Sequence, residues 1–156
     1  MSTQIVSPLL LPAPRATGVR LLPSSTIEPV IGRESPLIKL RVLLVDDHES
    51  HIDTLAEYFS QDRYEILKAT SGRRTLEIYR TGGIVAVVTD LQMPGMNGDR
   101  LAAHIKSLDR STRIILITGN ANAIDSSLRG NLDGVIIRPY DGGHLVKVLE
   151  LALQAG

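Results

Sequence analysis

Short apolar runs of strand length alternate with helix-like stripes from residue 39 onward, and this alternation limits the possible folds more than any other feature. Strands that alternate with helical segments predict βαβ units, whose right-handed crossovers place helices on both faces of a parallel sheet. We therefore expect an α/β fold with a doubly wound, five-stranded parallel sheet. The predicted strands are Lys39–Val45, Tyr64–Thr70, Ile84–Thr89, Arg113–Thr118 and Gly134–Ile137.

The segments between the runs carry apolar residues at helical spacing. Ile52, Leu55 and Phe59 recur at i, i+3 and i+7, which suits a helix that packs one face on the sheet. The fourth segment, roughly Asn122 to Arg129, is polar, and there we expect only a small helix. The remaining stripes are Leu76 and Tyr79, then Leu101, Ile105 and Leu108, and finally Leu145, Val148, Leu149 and Ala152.

Residues 1–39 differ from the rest because they hold six of the eight prolines. Proline breaks both helices and strand ladders. We therefore expect a proline-rich extension over 1–39, either mostly disordered or a docking segment with apolar patches such as Val19–Leu22, and one domain over 40–156. Leu9–Leu11 is too short to span a membrane and no basic region precedes it, so we expect neither a signal peptide nor a membrane anchor.

Composition excludes several classes of function. The formal net charge is zero, so there is no broad attraction toward nucleic acid or a membrane surface, and direct binding to either is not expected. The chain has no cysteine, which rules out disulfides and thiolate metal sites and makes a cytoplasmic location the default expectation.

Acidic residues follow two of the predicted strands. Asp46 and Asp47 come after the first run, and Asp90 comes after the third. Thr118 ends the fourth run, and Arg138 follows the fifth. The carboxyl ends of parallel strands meet at one edge, where such sheets bind ligands. Each close pair of carboxylates costs about 4 kcal/mol at an effective dielectric constant near 20, so a cation is expected. Oxygen-only ligands point to Mg²⁺ in a site with room for phosphate oxygens.

Four motifs together resemble the receiver domain of two-component response regulators, over essentially all of Leu40 to Gly156. The resemblance implies a flavodoxin-like sheet with strand order 2-1-3-4-5. The segment from Asp90 to Gly98, D-x-x-M-P-G-M-x-G, is the most specific of the four. The others are Leu44-Val45-Asp46-Asp47, Ile117-Thr118-Gly119 and Arg138-Pro139-Tyr140.

The resemblance also implies roles for individual residues. Asp90 would be the phosphoacceptor, a carboxylate nucleophile that forms an aspartyl phosphate. Magnesium would be held by Asp46, Asp47, Asp90 and the backbone carbonyl of Gln92. Thr118 and Arg138 would bind the phosphoryl group, the Arg138–Pro139 peptide would be cis, and Gln92 and Asn120 would tune dephosphorylation.

Two positions depart from the family pattern. Arg138 replaces a lysine, and its planar fork could bind phosphate bidentately or pair with Asp90 and hold the unphosphorylated site shut. Val135 replaces the aromatic residue that usually reports the conformation of the switch. Signal would then leave by another route, such as movement of the weak helix after Asn120.

The leading functional hypothesis is a stand-alone response regulator. It would accept phosphate on Asp90 from a histidine kinase or phosphotransfer protein and signal by contact with a downstream protein. It would not be an enzyme beyond its own Mg²⁺-dependent phosphoryl acceptance and hydrolysis, and a homodimer is left open. One alternative is a degenerate receiver that acts as a phosphorylation-independent interaction module. Another is an aspartyl-nucleophile phosphatase, which Gln92 disfavours because such enzymes usually have a second Asp there.

The four histidines suggest no site from sequence alone. His48 and His51 stand three residues apart at a helix start, but no further Cys or His lies near them in the chain, so surface positions are expected rather than a metal pair. His104 and His144 fall on predicted helices.

Overall fold

A sheet of five parallel strands organises the computed structural model, which describes residues 37–156. The strands occur in the spatial order β2-β1-β3-β4-β5, which confirms the predicted doubly wound α/β fold. The predicted extension lies outside the described residues except for positions 37–39. The strands are β1 (Leu40–Val45), β2 (Tyr64–Ala69), β3 (Ile84–Asp90), β4 (Arg113–Thr118) and β5 (Gly134–Ile137). The helices are α1 (Glu49–Ala56), α2 (Gly72–Tyr79), α3 (Gly98–Leu108) and α4 (Gly142–Gln154).

The central strands are buried on both faces, as expected of a sheet covered by helices on each side. Successive residues of β1 point to opposite faces. Val42 and Leu44 pack in the cluster that includes residues of α1 and α4, whereas Leu43 and Val45 pack in the cluster that includes residues of α2 and α3. All four side chains are fully buried. Burial of one such side chain contributes about 1.5–3 kcal/mol, so this strand anchors both halves of the core.

The strand register brings the ends of β1, β3, β4 and β5 to the same edge of the sheet. Val45 pairs with Thr89, Asp90 with Ile117, and Thr118 with Ile137. Residues at or just after these pairs therefore share one surface, called the carboxyl edge below.

The predicted helix over Asn122 to Arg129 is wrong. Two short 3₁₀ turns occupy this connection instead, at Ala121–Ala123 and Arg129–Asn131. The side chain of Asn120 accepts a hydrogen bond from the Asn122 N–H at 2.9 Å, and that of Asp125 accepts one from the Ser127 N–H at 2.9 Å. Such local bonds offer the backbone an alternative to the helical pattern. In 119–131 only Ile124 is a buried residue, so little apolar packing favours a helix.

None of the helices within 37–156 has the length and apolar character needed to cross a bilayer.

Gly98, the first residue of α3, packs directly against the backbone at the end of β3. A Cβ at Gly98 would collide with the backbone carbonyl oxygen of Asp90 and lie 2.8 Å from Cδ1 of Leu116. Neither neighbour can move freely, because the Asp90 carbonyl belongs to β3 and Leu116 is fully buried.

We predict that Gly98→Ala lowers the free energy of unfolding by about 1–3 kcal/mol, as overpacking of a tight site does. Gly130→Ala is the matched control, since a Cβ at Gly130 meets nothing within 4 Å. Its effect should stay within about 0.5 kcal/mol in urea denaturation. Equal effects of the two substitutions would contradict the close packing of α3 on β3.

Candidate functional site

Three carboxylates gather at the carboxyl edge. Asp46 and Asp47 directly follow β1, and Asp90 is the last residue of β3. One carboxylate oxygen from each lies within 4.8 Å of the others. Asp46 is only 1% exposed and Asp90 only 7%, whereas Asp47 is partly buried. Their mutual repulsion is therefore poorly screened by water.

The guanidinium of Arg138 bridges two of these carboxylates. Nη1 donates to Oδ1 of Asp90 at 2.8 Å, and Nη2 lies 3.4 Å from Oδ2 of Asp46. Arg138 directly follows β5, and its backbone N–H donates to the Thr118 carbonyl at 2.8 Å. The peptide bond between Arg138 and Pro139 is cis. The arginine thus supplies the positive charge that partly offsets the acidic cluster.

Burial is the main reason that the pKa of Asp90 is raised above its ordinary value. The hydrogen bond and charge of Arg138 lower this pKa, while the charges of Asp46 and Asp47 raise it further. Despite its arginine partner, the Asp90 carboxyl therefore binds a proton more readily than an ordinary aspartate, which reflects an unfavourable environment for its charged form.

Thr118 ends β4 with its hydroxyl turned to the loop that follows. The hydroxyl donates to the Asn120 carbonyl at 3.1 Å and accepts from the Asn120 N–H at 3.1 Å. The residue is 3% exposed. Because two hydrogen bonds join Thr118 to Asn120, a change in the position of this hydroxyl would also change the path of the loop that follows β4.

The residues that follow Asp90 turn sharply back toward the sheet. Gln92 is exposed, and Gly95 has a φ of 83°, a conformation that favours glycine. The turn lets the Gly98 N–H donate to the Leu91 carbonyl at 2.8 Å, which starts α3 close to Asp90.

Val135, in the place where the family pattern has an aromatic residue, is partly buried. It packs against a small cluster formed by Leu91, Leu116 and Ile124. Leu91 adjoins Asp90, and Ile124 lies on the loop that begins after Thr118. This cluster therefore touches both the acidic site and the loop.

His48 and His51 are exposed surface residues, with side chains 64% and 53% accessible, but they also contact the acidic cluster. Nδ1 of His51 lies 3.1 Å from Oδ2 of Asp46, and Nδ1 of His48 lies 3.1 Å from Oδ1 of Asp47. The sequence reasoning missed these contacts because it looked only for Cys or His as further partners. The D-D-x-x-x-H spacing at a strand-to-helix turn was the available signal. His104 and His144 are exposed on α3 and α4.

The donor set of the carboxyl edge fits a hard divalent cation. Asp46, Asp47 and Asp90 offer only oxygen atoms, and their clustering is unfavourable without positive charge. Carboxylates that approach one another from two strand ends are the arrangement that such an ion stabilises.

Known protein families share this fold. The family model described as response regulator receiver domain matches residues 42–150, most of the chain. The chain belongs to this family. It is therefore a receiver domain of the response regulator type found in two-component systems.

Curated relatives of this receiver domain are longer proteins. Virulence sensor protein BvgS of Bordetella pertussis is 31% identical over 113 residues, 67% of this chain and 9% of BvgS. Sensory transduction protein RegX3 of Mycobacterium tuberculosis is 28% identical over 117 residues, 74% of this chain and 51% of RegX3. The putative two-component response regulator ARR21 of Arabidopsis thaliana is 27% identical over 78% of this chain and 20% of ARR21. This chain thus spans about half or less of each relative.

Solved structures share the receiver fold. The Vibrio cholerae chemotaxis protein CheY4 superposes with a TM-score of 0.67 at 22% identity, covering 74% of this chain and 99% of CheY4. The response regulator TrrA of Thermotoga maritima, solved in complex with Mg(2+)-BeF, gives 0.67 at 25% identity, covering 73% and 99%. A CheY-like receiver domain of Methanospirillum hungatei gives 0.69 at 23% identity, covering 75% and 95%.

The raised pKa of Asp90 predicts how stability depends on pH. An acid whose pKa is higher in the folded state contributes stability that is present below its unfolded-state pKa and lost as pH rises through its folded-state pKa. Asp90→Asn cannot ionise, so in metal-free buffer it should be more stable than the wild type at neutral pH. Its advantage should vanish below pH 3.8, the ordinary value for Asp90. Urea denaturation across this range measures the difference.

Asp109→Asn provides a control of opposite sign. Asp109 is exposed, and hydrogen bonds from Ser111 hold the pKa of its carboxyl below the ordinary value. Its substitution should therefore reduce stability at neutral pH. A destabilised Asp90→Asn, or a gain that does not change with pH, would contradict the electrostatic description of the site.

Proposed function

We propose that this receiver domain accepts a phosphoryl group on Asp90 from a histidine kinase or phosphotransfer protein. It would act in the cytoplasm as a stand-alone regulator that signals by contact with a downstream protein. One observation carries the proposal: the Asp90 carboxylate ends β3 within 4.8 Å of the Asp46 and Asp47 oxygens, and a guanidinium nitrogen lies 2.8 Å away. That arrangement provides a nucleophile, acidic metal ligands and a cationic partner at one edge.

In the proposed reaction an Asp90 carboxylate oxygen attacks the phosphorus of a phosphohistidine. The bond between phosphorus and the imidazole nitrogen breaks, its electron pair stays on the imidazole, and Asp90 becomes an aspartyl phosphate. Arg138 loses its carboxylate partner oxygen in this step. Its fork of N–H donors is suited to two oxygens of the new phosphoryl group, because guanidinium binds phosphate bidentately.

The residues proposed to hold Mg²⁺ are Asp46, Asp47 and Asp90 with the backbone carbonyl of Gln92. When bound, the ion supplies positive charge that offsets both the clustered carboxylates and the phosphoryl oxygens. The structure of the response regulator TrrA in complex with Mg(2+)-BeF supports the proposal of a Mg²⁺ site in this chain.

Thr118 is the proposed sensor of phosphorylation. To reach a phosphoryl oxygen its hydroxyl must release the Asn120 carbonyl, to which it now donates at 3.1 Å. The loop after Asn120 would then shift and change how Ile124 packs on Leu91 and Val135. In this proposal the small apolar cluster replaces the aromatic residue as the route by which the signal leaves the site.

Gln92 and Asn120 are the residues proposed to tune dephosphorylation. Both are exposed two positions after a site residue. The Asn120 carboxamide oxygen already accepts the Asn122 N–H at 2.9 Å, so its orientation is tied to the first 3₁₀ turn. Movement of this loop would therefore change both the readout and the access of water to the aspartyl phosphate.

A second function is favoured by the contacts of Arg138. The same guanidinium holds Asp90 at 2.8 Å and Asp46 at 3.4 Å, so it occupies oxygens that phosphoryl acceptance needs. A receiver in which this bridge is never released would bind its partner regardless of phosphate. It would be an interaction module rather than a switch.

The test incubates the full chain with Mg²⁺ and acetyl phosphate and follows intact mass. We predict the gain of one phosphoryl group in the wild type, loss of the gain when Mg²⁺ is chelated, and no gain in Asp90→Asn. Arg138→Lys should label to a similar extent, because positive charge is kept. If the wild type gains no phosphoryl group under conditions that phosphorylate another receiver domain, the proposal is contradicted.

Arg138→Lys also separates the two candidate functions. If the wild type stays unlabelled while Arg138→Lys accepts phosphate, the arginine bridge blocks the chemistry and the interaction module is favoured. Asp47→Asn is a suitable companion variant, since loss of labelling there shows that acceptance depends on the proposed metal ligands.

A further inference from the structure

Two imidazoles approach the acidic cluster from the start of α1. Nδ1 of His51 lies 3.1 Å from Oδ2 of Asp46, and Nδ1 of His48 lies 3.5 Å from Oδ1 of the same carboxylate. The two rings stand 4.8 Å apart between centroids. One ligand atom from each of Asp46, His48 and His51 falls within 4.8 Å of the others. Each histidine thus places its Nδ1 near Asp46, and Nδ1 of His48 lies closer still to Oδ1 of Asp47, at 3.1 Å.

These separations match the first shell of a transition metal. Nitrogen and oxygen ligands bound at about 2.0–2.2 Å to one tetrahedral ion stand roughly 3.3–3.6 Å from each other. The observed separations are 3.1 Å from His51 Nδ1 to Oδ2 of Asp46 and 3.5 Å from His48 Nδ1 to Oδ1, which are close to this range for a carboxylate that offers both of its oxygens to the ion. Both imidazole side chains are more than half exposed, so they are free to rotate toward an ion.

The local backbone holds the three ligands in place. The His48 N–H donates to Oδ1 of Asp46 at 2.9 Å, which fixes the buried carboxylate at the turn between β1 and α1. His48 is the N-cap of α1 and His51 lies three residues later. The contacts of both Nδ1 atoms with Asp46 place the two rings on the same side of this turn.

We propose that Asp46, His48 and His51 form a binding site for a divalent transition ion of the zinc type, with Asp47 as an adjacent carboxylate. Imidazole nitrogen suits Zn²⁺ and its neighbours in the first transition series, whereas Mg²⁺ prefers oxygen ligands alone. The site is thus chemically distinct from the proposed magnesium site and does not depend on phosphoryl acceptance by Asp90.

Asp46 belongs to both sites, which gives the second one a consequence. Its Oδ2 faces His51 and also lies 3.4 Å from Nη2 of Arg138. An ion held by the histidines would draw this carboxylate away from the arginine and from Mg²⁺. Zinc-type ions should therefore weaken Mg²⁺ binding without competing for Asp90.

The experiment titrates the full chain with ZnCl₂ by isothermal calorimetry and repeats the titration with MgCl₂. The double variant His48→Ala/His51→Ala should raise the Zn²⁺ dissociation constant at least about tenfold, since even the loss of an outer-shell partner costs 10–100-fold. Its Mg²⁺ binding should be unchanged, which also reports that the variant is folded. Circular dichroism checks folding independently.

The double variant His104→Ala/His144→Ala is the matched control, because it removes two exposed histidines from other helices. It should bind Zn²⁺ as the wild type does. Long-range ¹H–¹⁵N spectra of the imidazoles should show Zn²⁺ on Nδ1 of His48 and His51. Equal Zn²⁺ affinity in both double variants, coordination through Nε2, or no Zn²⁺ binding by the wild type would overturn the proposal and leave the cluster as a hydrogen-bonded pair.

Discussion

The contact between Arg138 and two buried carboxylates is the interaction on which the functional edge depends. Asp46 directly follows β1 and Asp90 ends the neighbouring strand β3, and both are almost completely buried. A pair of like charges about 4 Å apart costs about 4 kcal/mol at an effective dielectric constant near 20. A planar guanidinium can address both oxygens at once, which the single ammonium of lysine does less well. The charge and shape of Arg138 together therefore set the resting state of the site.

The same contact would connect phosphoryl acceptance at the site with the proposed readout. A cation or a phosphoryl group must compete with Arg138 for the oxygens of Asp46 and Asp90. Arg138 directly follows β5, and its backbone N–H donates to the Thr118 carbonyl at the end of β4. A change in that competition would therefore reach the ends of both strands. The site and its proposed readout thus share one set of strand ends.

Much of the fold was predictable because it follows from local patterns. Apolar runs gave the strands, with β4 and β5 at the bounds that the sequence predicts, and the rule for parallel strands placed Asp46 and Asp90 at one edge. The two 3₁₀ turns that replace the expected helix between β4 and β5 were not predictable from polarity alone. There the side chains of Asn120 and Asp125 bind their own backbone, so local hydrogen bonds replace helical ones.

The parts of the site that sequence reasoning missed are contacts made in three dimensions. The approach of His48 and His51 to Asp46 requires the turn between β1 and α1, and its geometry was not evident from residue types. The packing of Val135 on Ile124 likewise depends on a loop whose path was predicted wrongly. Both features lie in a turn or loop next to a strand end, where residue spacing follows no regular pattern.

A double-mutant cycle between Arg138 and Asp90 measures whether the two side chains are energetically coupled. The free energy of unfolding is measured in metal-free buffer at neutral pH for the wild type, Arg138→Met, Asp90→Asn and the double variant. If the bridge organises the site, loss of Arg138 costs more when Asp90 is present, with a coupling energy of about 0.5–3 kcal/mol. Additive effects, with a coupling energy below about 0.3 kcal/mol, would contradict this account.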